Sequence, residues 1–293
     1  VRRLPTFDTA TPSDAEVDHA LRATGALMAS YVTEPDEHHA ANAWRYLCSD
    51  HEYSLSKLAP AMRRNVRRAL RELTIAPLSS MELLAHAGPA FCDTRRRNGL
   101  DDGTPGGFRR YFTYRGRVDR SGTTYLGAWK DGQLAAFATV LHIDDWAELR
   151  CFSMSSMLRH RPNDALLYIA LSYYLSGRHC RVVSYGLSSI QADTSAAGLH
   201  RFKRKVGFDA SRVHRAFVLH PSIRPFANRM TLTAAHWTVN GALRIRQRDR
   251  HLKKLGGVLA CMLGATWMME AAAPDEDGRR RRPPLRQDSV SAT

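Results

Sequence analysis

Asp131-Gly132 stands between two runs that read as strands, Thr124–Lys130 and Gln133–Ile143. An Asp-Gly pair supplies the left-handed backbone of a two-residue turn, so the two runs are predicted to fold back on one another. Asp144-Asp145 marks a second turn, and Trp146–Met157 returns as a third strand. Residues 123–157 are therefore an antiparallel meander. After Pro162 the period changes. Ala165–Leu175 is apolar nearly all round, which predicts a buried helix stopped by Gly177. Arg181–Tyr185 is a short apolar strand, and because a helix separates it from Trp146–Met157 the two strands are expected to be parallel neighbours. Leu199, Phe202 and Val206 recur at helical spacing before Gly207, and Val213–Leu219 supplies a closing strand.

Upstream, one helix is expected from Asp14 to Tyr31, within an acidic stretch. Met62, Val66, Leu70 and Leu73 give a helix over Pro60–Leu73 with arginines on its other face, and Ser79 with Glu82 has capping-box spacing for a helix that fades by Gly99. Gly99–Gly107 reads as a loop. The expected class is α/β (α+β), a mixed, mostly antiparallel sheet with flanking helices. The expected division is an acidic arm (1–40), the α/β domain (41–220), a basic helical extension (221–273) and a disordered tail (274–293). With 293 residues, 44% of them hydrophobic, the chain can bury a sizeable core.

The 43 basic and 28 acidic side chains leave +15, so an anionic partner or substrate is expected. Arg outnumbers Lys 37 to 6, a bias that coding composition alone can produce. Five cysteines without C-x-x-C fit a reduced, cytoplasmic chain. No apolar signal segment opens the sequence, and the run Leu255–Met269 is shorter than a membrane span. The histidines show no metal-ligand spacing, so no metal is expected.

Four strings together point to a family: Leu126-Gly127-Ala128-Trp129-Lys130-Asp131-Gly132, Arg161-Pro162-Asn163-Asp164-Ala165-Leu166-Leu167, Ser184-Tyr185-Gly186-Leu187, and Phe202-Lys203 through Gly207-Phe208. The stretch Tyr125–Pro221 resembles the GNAT superfamily of acyl-CoA N-acyltransferases, in its Fem-like branch. Leu55–Leu70, read as a strand end followed by Arg-Arg-Asn-Val-Arg-Arg-Ala, resembles the same branch less specifically.

The resemblance implies acyl transfer from acetyl-CoA or another acyl-CoA to a small-molecule or peptide amine, with two parallel strands splayed around the pantetheine arm. It implies that amides of Cys151–Met157 pair with that arm. It puts the diphosphate at the following helix start, where unpaired amides and the dipole favour an anion. The residues there are Ser155, Ser156, Met157, Leu158, Arg159, His160, Arg161, Asn163, Asp164 and Ala165. The family's loop carries glycines; this one has none, and Asp164 puts a carboxylate where phosphate would lie unless it caps the helix instead, while Arg159-His160-Arg161 reads equally well as a solvated turn. Lys203 stands where many members carry a tyrosine. Either it donates a proton or meets a substrate phosphate, or it belongs with Arg201, Arg204 and Lys205 on a solvated helix face, the reading this four-cation run favours. Glu148, Tyr185 and Ser188 are the candidates for the general base. Asp144 and Asp145 read as turn residues.

Two other functions remain open. A Fem-like transferase would take an aminoacyl group from tRNA, with Arg63–Arg71 and Arg95–Arg97 tracking phosphates, although no aromatics interleave with them for base stacking. An inactive binding protein would use the basic and apolar segment 244–269 at an anionic membrane surface. The alternative reading of that segment, which is preferred, is a helix docked on the core through Leu255, Val258, Leu259 and Met262.

Overall fold

In the computed structural model of the chain, residues 8–98, 103–118, 122–188, 195–245 and 249–264 are described; the expected tail at 274–293 lies outside them. Helix α1 (Asp14–Thr24) opens with a capping box between Ser13 and Glu16 and closes at Gly25, whose φ of 64° ends the helical path. The single helix expected from Asp14 to Tyr31 is therefore two elements, α1 and the strand β1 (Met28–Thr33). Strand β2 (Ala43–Cys48) follows, and Leu55, read as a strand end, instead begins a 3-10 turn. Helix α2 (Pro60–Glu72) buries Met62, Val66 and Ala69 and is followed by β3 (Thr74–Pro77). The helix expected from Ser79 to Gly99 is broken at Gly88-Pro89 into α3 (Ser80–His86) and α4 (Gly88–Arg97). A proline restarts a helix because its own N–H is missing and its φ is preset. Helix α5 (Pro105–Val118) occupies part of the expected loop.

The meander is β4 (Thr123–Lys130), β5 (Gln133–Ile143) and β6 (Trp146–Ser153), turning at Asp131-Gly132, both with positive φ. Then come α6 (Pro162–Leu171), β7 (Val182–Leu187), α7 (Ser195–Val206) and β8 (Asp209–Leu219), and finally α8 (Arg229–Ile245) and α9 (Arg250–Met262). The strands form one eight-stranded sheet in the order β1-β8-β2-β7-β6-β5-β4-β3. Each adjacent pair is antiparallel except β6 and β7, which are parallel as expected. β1 lies inside the segment expected as an acidic arm and forms the edge of the sheet beside β8.

Alternation assigns side chains to the two faces. On one face, Ala136, Ala138 and Val140 of β5 and Ala147 and Leu149 of β6 pack against α2 and α6, whose Leu166 and Leu167 are fully buried. The alanines let α6 lie close to the sheet. On the other face, Phe137 and Phe152 stack at 4.8 Å beneath Phe91 of α4 and Phe108 of α5.

The parallel ladder between β6 and β7 is short: Trp146 pairs with Val182, Ala147 with Val183 and Glu148 with Ser184, and there it stops. The cause lies on the far side of β7. Against β2, Arg45 pairs with Leu187 and Leu47 with Ser184, so three steps on β7 span two on β2. That extra residue is a bulge at Tyr185-Gly186, and Gly186 takes φ 77°. A bulge bends and twists its strand, and here it turns β7 away from β6. Replacing Gly186 by Ala forces a side chain into left-handed backbone and is expected to destabilise the fold by about 1–2 kcal/mol in urea denaturation. An unchanged midpoint would show that the bulge does not need this conformation.

Candidate active site

Where β6 and β7 part, a cleft of about 1020 Å³ opens. Leu149–Ser153 of β6 and Tyr185–Leu187 of β7 are its two walls. The start of α6 (Arg161–Asp164) closes one side, α4 contributes Thr94, Arg95 and Arg97, and α7 contributes Leu199 and Phe202. Alternate peptide groups of β6 beyond Glu148 face a strand that has turned away. Ser153 N–H there already donates to Thr94 Oγ1 at 2.7 Å and the Ser153 carbonyl accepts from Thr94 and Arg97, so the stretch between Glu148 and Ser153 is what a ligand can pair with.

The cleft is cationic. Arg95, Arg97, Arg150, Arg161, Arg201 and Lys205 line it, against the carboxylates of Glu148 and Asp164, which are both buried. Arg97 is held in place: it donates to the Ser153 carbonyl at 3.1 Å, Ser155 Oγ at 2.8 Å and Ser153 Oγ at 3.2 Å. Asn163 Nδ2 donates to the same Ser153 Oγ at 3.2 Å.

A 3-10 turn over Ser155–His160 leads to Arg161, whose φ of 56° lets the chain pivot into α6. The amides at this helix start are largely used within the turn. Arg161 N–H donates to the Leu158 carbonyl, Asp164 and Ala165 N–H to the Arg161 carbonyl, and Pro162 has none. The Asp164 carboxyl sits beneath the helix start. Burial pushes its pKa up, against the opposing charge of Arg161 and a hydrogen bond with Asn65 of α2.

On the other strand, Tyr185 lies against Cys151, and burial and Cys151 together drive its phenol well above the usual range; the Cys151 thiol is pushed up to about 12. Lys203, 2% exposed, donates from Nζ to the Tyr185 carbonyl at 3.2 Å. The ammonium lies 3.9 Å from the Tyr46 ring centroid and 4.9 Å from that of Tyr185. Among the described residues no carboxylate pairs with it, and burial lowers its pKa to about 7. Beside it, His200 Nδ1 meets the Tyr46 hydroxyl at 2.9 Å while Nε2 has no hydrogen-bond partner.

Glu148 projects from β6 toward the α4 and α5 face, 7% exposed. Its Oε1 accepts from Arg150 Nη2 at 2.7 Å and Nε at 3.1 Å, while Oε2 has no partner. Glu148 and Arg150 also line a second, small cavity of about 20 Å³ under α5, walled by Phe108, Phe112 and Tyr125 and containing the unpartnered Thr123 hydroxyl.

The sequence matches no protein-family model and no curated protein. The structure is similar to the crystal structure of FemX, with 13% identity, 71% of this chain and 70% of that chain covered, and a TM-score of 0.51. The fold is of the kind seen in FemX. Weaker likenesses include the C-terminal domain of a putative lysylphosphatidylglycerol synthetase from Agrobacterium fabrum (15% identity, 68% and 64% covered, TM-score 0.44) and a tandem GNAT protein from the clavulanic acid biosynthesis pathway (14%, 74% and 61%, 0.40).

Within this fold the residues singled out in sequence do not all meet. Glu148, Tyr185, Leu158, Arg161, Asn163 and Asp164 line the cleft. Ser188 does not: its hydroxyl accepts from the Trp44 N–H at 3.0 Å and its own N–H donates to the Trp44 carbonyl, tying β7 to β2. His160 Nδ1 lies 2.5 Å from Glu72 of α2, a contact that with Arg68 holds the Glu72 carboxyl down to about 2, and Arg159 Nε donates to His160 Nε2. Ser155 N–H is held by Asp93. Ser156 and Met157 continue the same 3-10 turn, and Ala165 is buried in α6. Asp144 and Asp145 lie in the turn between β5 and β6.

The solvated face expected for Lys203 is overturned. Arg201, Arg204 and Lys205 are exposed, but α7 buries His200 and Lys203, and turns Leu199 and Phe202 toward the cleft. Asn65, Thr94 and Tyr46 carried no sequence signal of a site, because their partners are far away in the chain.

Lys203 sets a pH dependence. Its pKa is about 7 folded against an ordinary 10.5, so between these values the unfolded chain binds the extra proton and stability rises with pH. Urea denaturation is expected to give a higher unfolding free energy at pH 9 than at pH 7 from this residue. Lys203→Met should flatten that rise; an equal slope in both proteins would contradict the assignment.

Proposed function

We propose that this chain is an N-acyltransferase: it moves an acyl group from acyl-CoA to the nitrogen of an amine by direct attack. The observation that carries this reading is the cleft between the parted parallel strands, with β6 backbone on one wall and a buried, half-unpartnered carboxylate at its inner end. Acyl-CoA supplies an acyl carbon made reactive by its thiolate leaving group. Backbone groups of β6 beyond Glu148 take the extended arm as a missing strand would. One such amide polarises the acyl carbonyl. Arg97, Arg161, Arg201 and Lys205 answer the phosphates by charge, in place of amides already bonded within the turn.

Glu148 is the general base in this reading. Its free Oε2 accepts a proton from the ammonium, and the neutral nitrogen attacks the acyl carbon. The C–N bond forms as the C–S bond breaks, the electron pair goes to sulfur, and a proton from Tyr185 or Lys203 restores the thiol. The second proton that the nitrogen sheds replaces, through solvent, the one that group gave up. Tyr185 reaches the cleft directly, and Lys203 sits against its ring and carbonyl. Ser188 takes a structural part.

One observation favours a second reading, an aminoacyl-tRNA donor. Arginine side chains, with few free amides, suit a phosphodiester chain better than a compact diphosphate. The deciding assay offers the full-length protein labelled acetyl-CoA, longer acyl-CoAs and aminoacyl-tRNA with a panel of amines. Amide formation from acyl-CoA is the expected result. Transfer from aminoacyl-tRNA alone moves the conclusion to the second reading, and no transfer from any donor leaves a binding protein.

With an active donor in hand, Glu148→Gln is expected to lower kcat by roughly 10²–10⁴-fold at neutral pH. The loss should shrink as rising pH deprotonates the amine in solution. Arg161→Glu is expected to raise the KM for the donor in a protein that still folds; an unaltered KM would remove the helix start from the donor site.

A further inference from the structure

Helix α8 carries apolar side chains on two opposite sides. One side packs on α9, where Val239 and Leu243 lie against Gly256. Leu255, expected among the docking residues, is 46% exposed, but α9 docks on β8 through Val258 and Cys261 against Phe217, so this part of its apolar face is covered by the protein. The far side of α8 is not. Met230, Trp237 and Ile245 are 83%, 73% and 86% exposed, and Phe226 just before the helix is 73% exposed. At helical spacing the first three fall within one quadrant, turned away from Val239. An apolar stripe this long on a soluble face marks a docking surface.

Its charge identifies the partner. Residues 221–264 hold eight arginines and lysines and a single acidic residue, Asp249. Arg229 and Arg244 flank the stripe on α8, which contains no carboxylate. A second copy of the chain would set these cations against themselves across a two-fold axis. A nucleic acid would satisfy the cations but gains nothing from exposed Met230 and Ile245, which have no ring for a base to stack on. A bilayer with anionic headgroups satisfies both, taking the aliphatic and indole side chains among its acyl chains and the cations at its surface.

We propose that α8 is a peripheral docking helix that seats the protein on an anionic lipid surface, with Met230, Trp237 and Ile245 inserted and Arg229 and Arg244 at the headgroups. This surface lies on a different element from the cleft and does not depend on the chemistry there.

The test uses the full chain and sedimentation with two kinds of vesicle, phosphatidylcholine alone and equal parts phosphatidylcholine and phosphatidylglycerol. Binding is expected to the second and not the first, weakening as salt is raised. The triple variant Met230→Ser, Trp237→Ser, Ile245→Ser should reduce binding by roughly tenfold or more. Its residues are exposed, so its circular dichroism and thermal transition should match the parent. Trp237 emission, taken as the difference from Trp237→Phe, should shift to the blue on binding. Sedimentation of parent and triple variant alike would overturn the proposal, as would no binding to anionic vesicles. Self-association or tRNA retention that the triple variant abolishes, without vesicle binding, would assign the stripe to a second copy or to nucleic acid instead.

Discussion

The ladder between β6 and β7 ends at Glu148 and Ser184, and the rest of the site follows from that ending. Two parallel strands in mid-sheet would normally pair along their whole length, because an unpaired peptide group shielded from water is costly. Here the bulge at Tyr185-Gly186 keeps β7 paired to β2 while withdrawing it from β6. The exposed edge that results is kept solvated by an open cleft. One of the backbone groups left over, the Tyr185 carbonyl, accepts from the ammonium of Lys203. The same break therefore creates a binding edge and the acceptor that a buried lysine needs.

Glycine's usual place at a phosphate-binding helix start is taken by side chains, and the consequences are consistent with one another. Arg161 adopts the left-handed conformation that glycine would enter without cost, and in doing so it directs the chain from the 3-10 turn into α6. Asp164 is buried beneath the turn, where Asn65 and the Arg161 charge favour its ionised form and burial opposes it. His160 reaches the other way, to Glu72, and fastens the turn to α2. The start of α6 is thus a braced corner. What it offers the cleft is the guanidinium charge of Arg161, since most of its amides are spent on its own backbone.

The local features were legible in the sequence. The hairpin at Asp131-Gly132, the meander, the buried helix after Pro162 and the parallel partner of β6 all rest on near-neighbour chemistry, and the fold class follows from them. The features that depend on distant partners were not. β1 reads as part of an acidic arm because its pairing with β8 joins Met28 to Leu219, and no local period reports such a pairing. The break at Gly88-Pro89 was visible in composition, but a capped start and an apolar pattern on either side of it read as continuous. Glu148 could be named as a candidate from its strand. Its isolation could not, because the unpartnered Oε2 is a property of packing under α5.

Helix α7 is the clearest case of tertiary structure overriding pattern. Leu199, Phe202 and Val206 mark an apolar stripe, and the usual inference would bury it. Val206 is indeed buried, but the helix is rotated so that His200 and Lys203 accompany it inward. The rotation is affordable only because the interior it meets is polar in places: the Tyr185 carbonyl, the Tyr46 hydroxyl and two aromatic faces receive the nitrogen groups. What it releases is an apolar wall, Leu199 and Phe202, in a cleft that five arginines also line. A cationic rim alone would hold any phosphate. Under the proposed function, a cationic rim beside an apolar wall and a partly unpaired strand edge is complementary to a ligand that is anionic at one end and extended and less polar along its length.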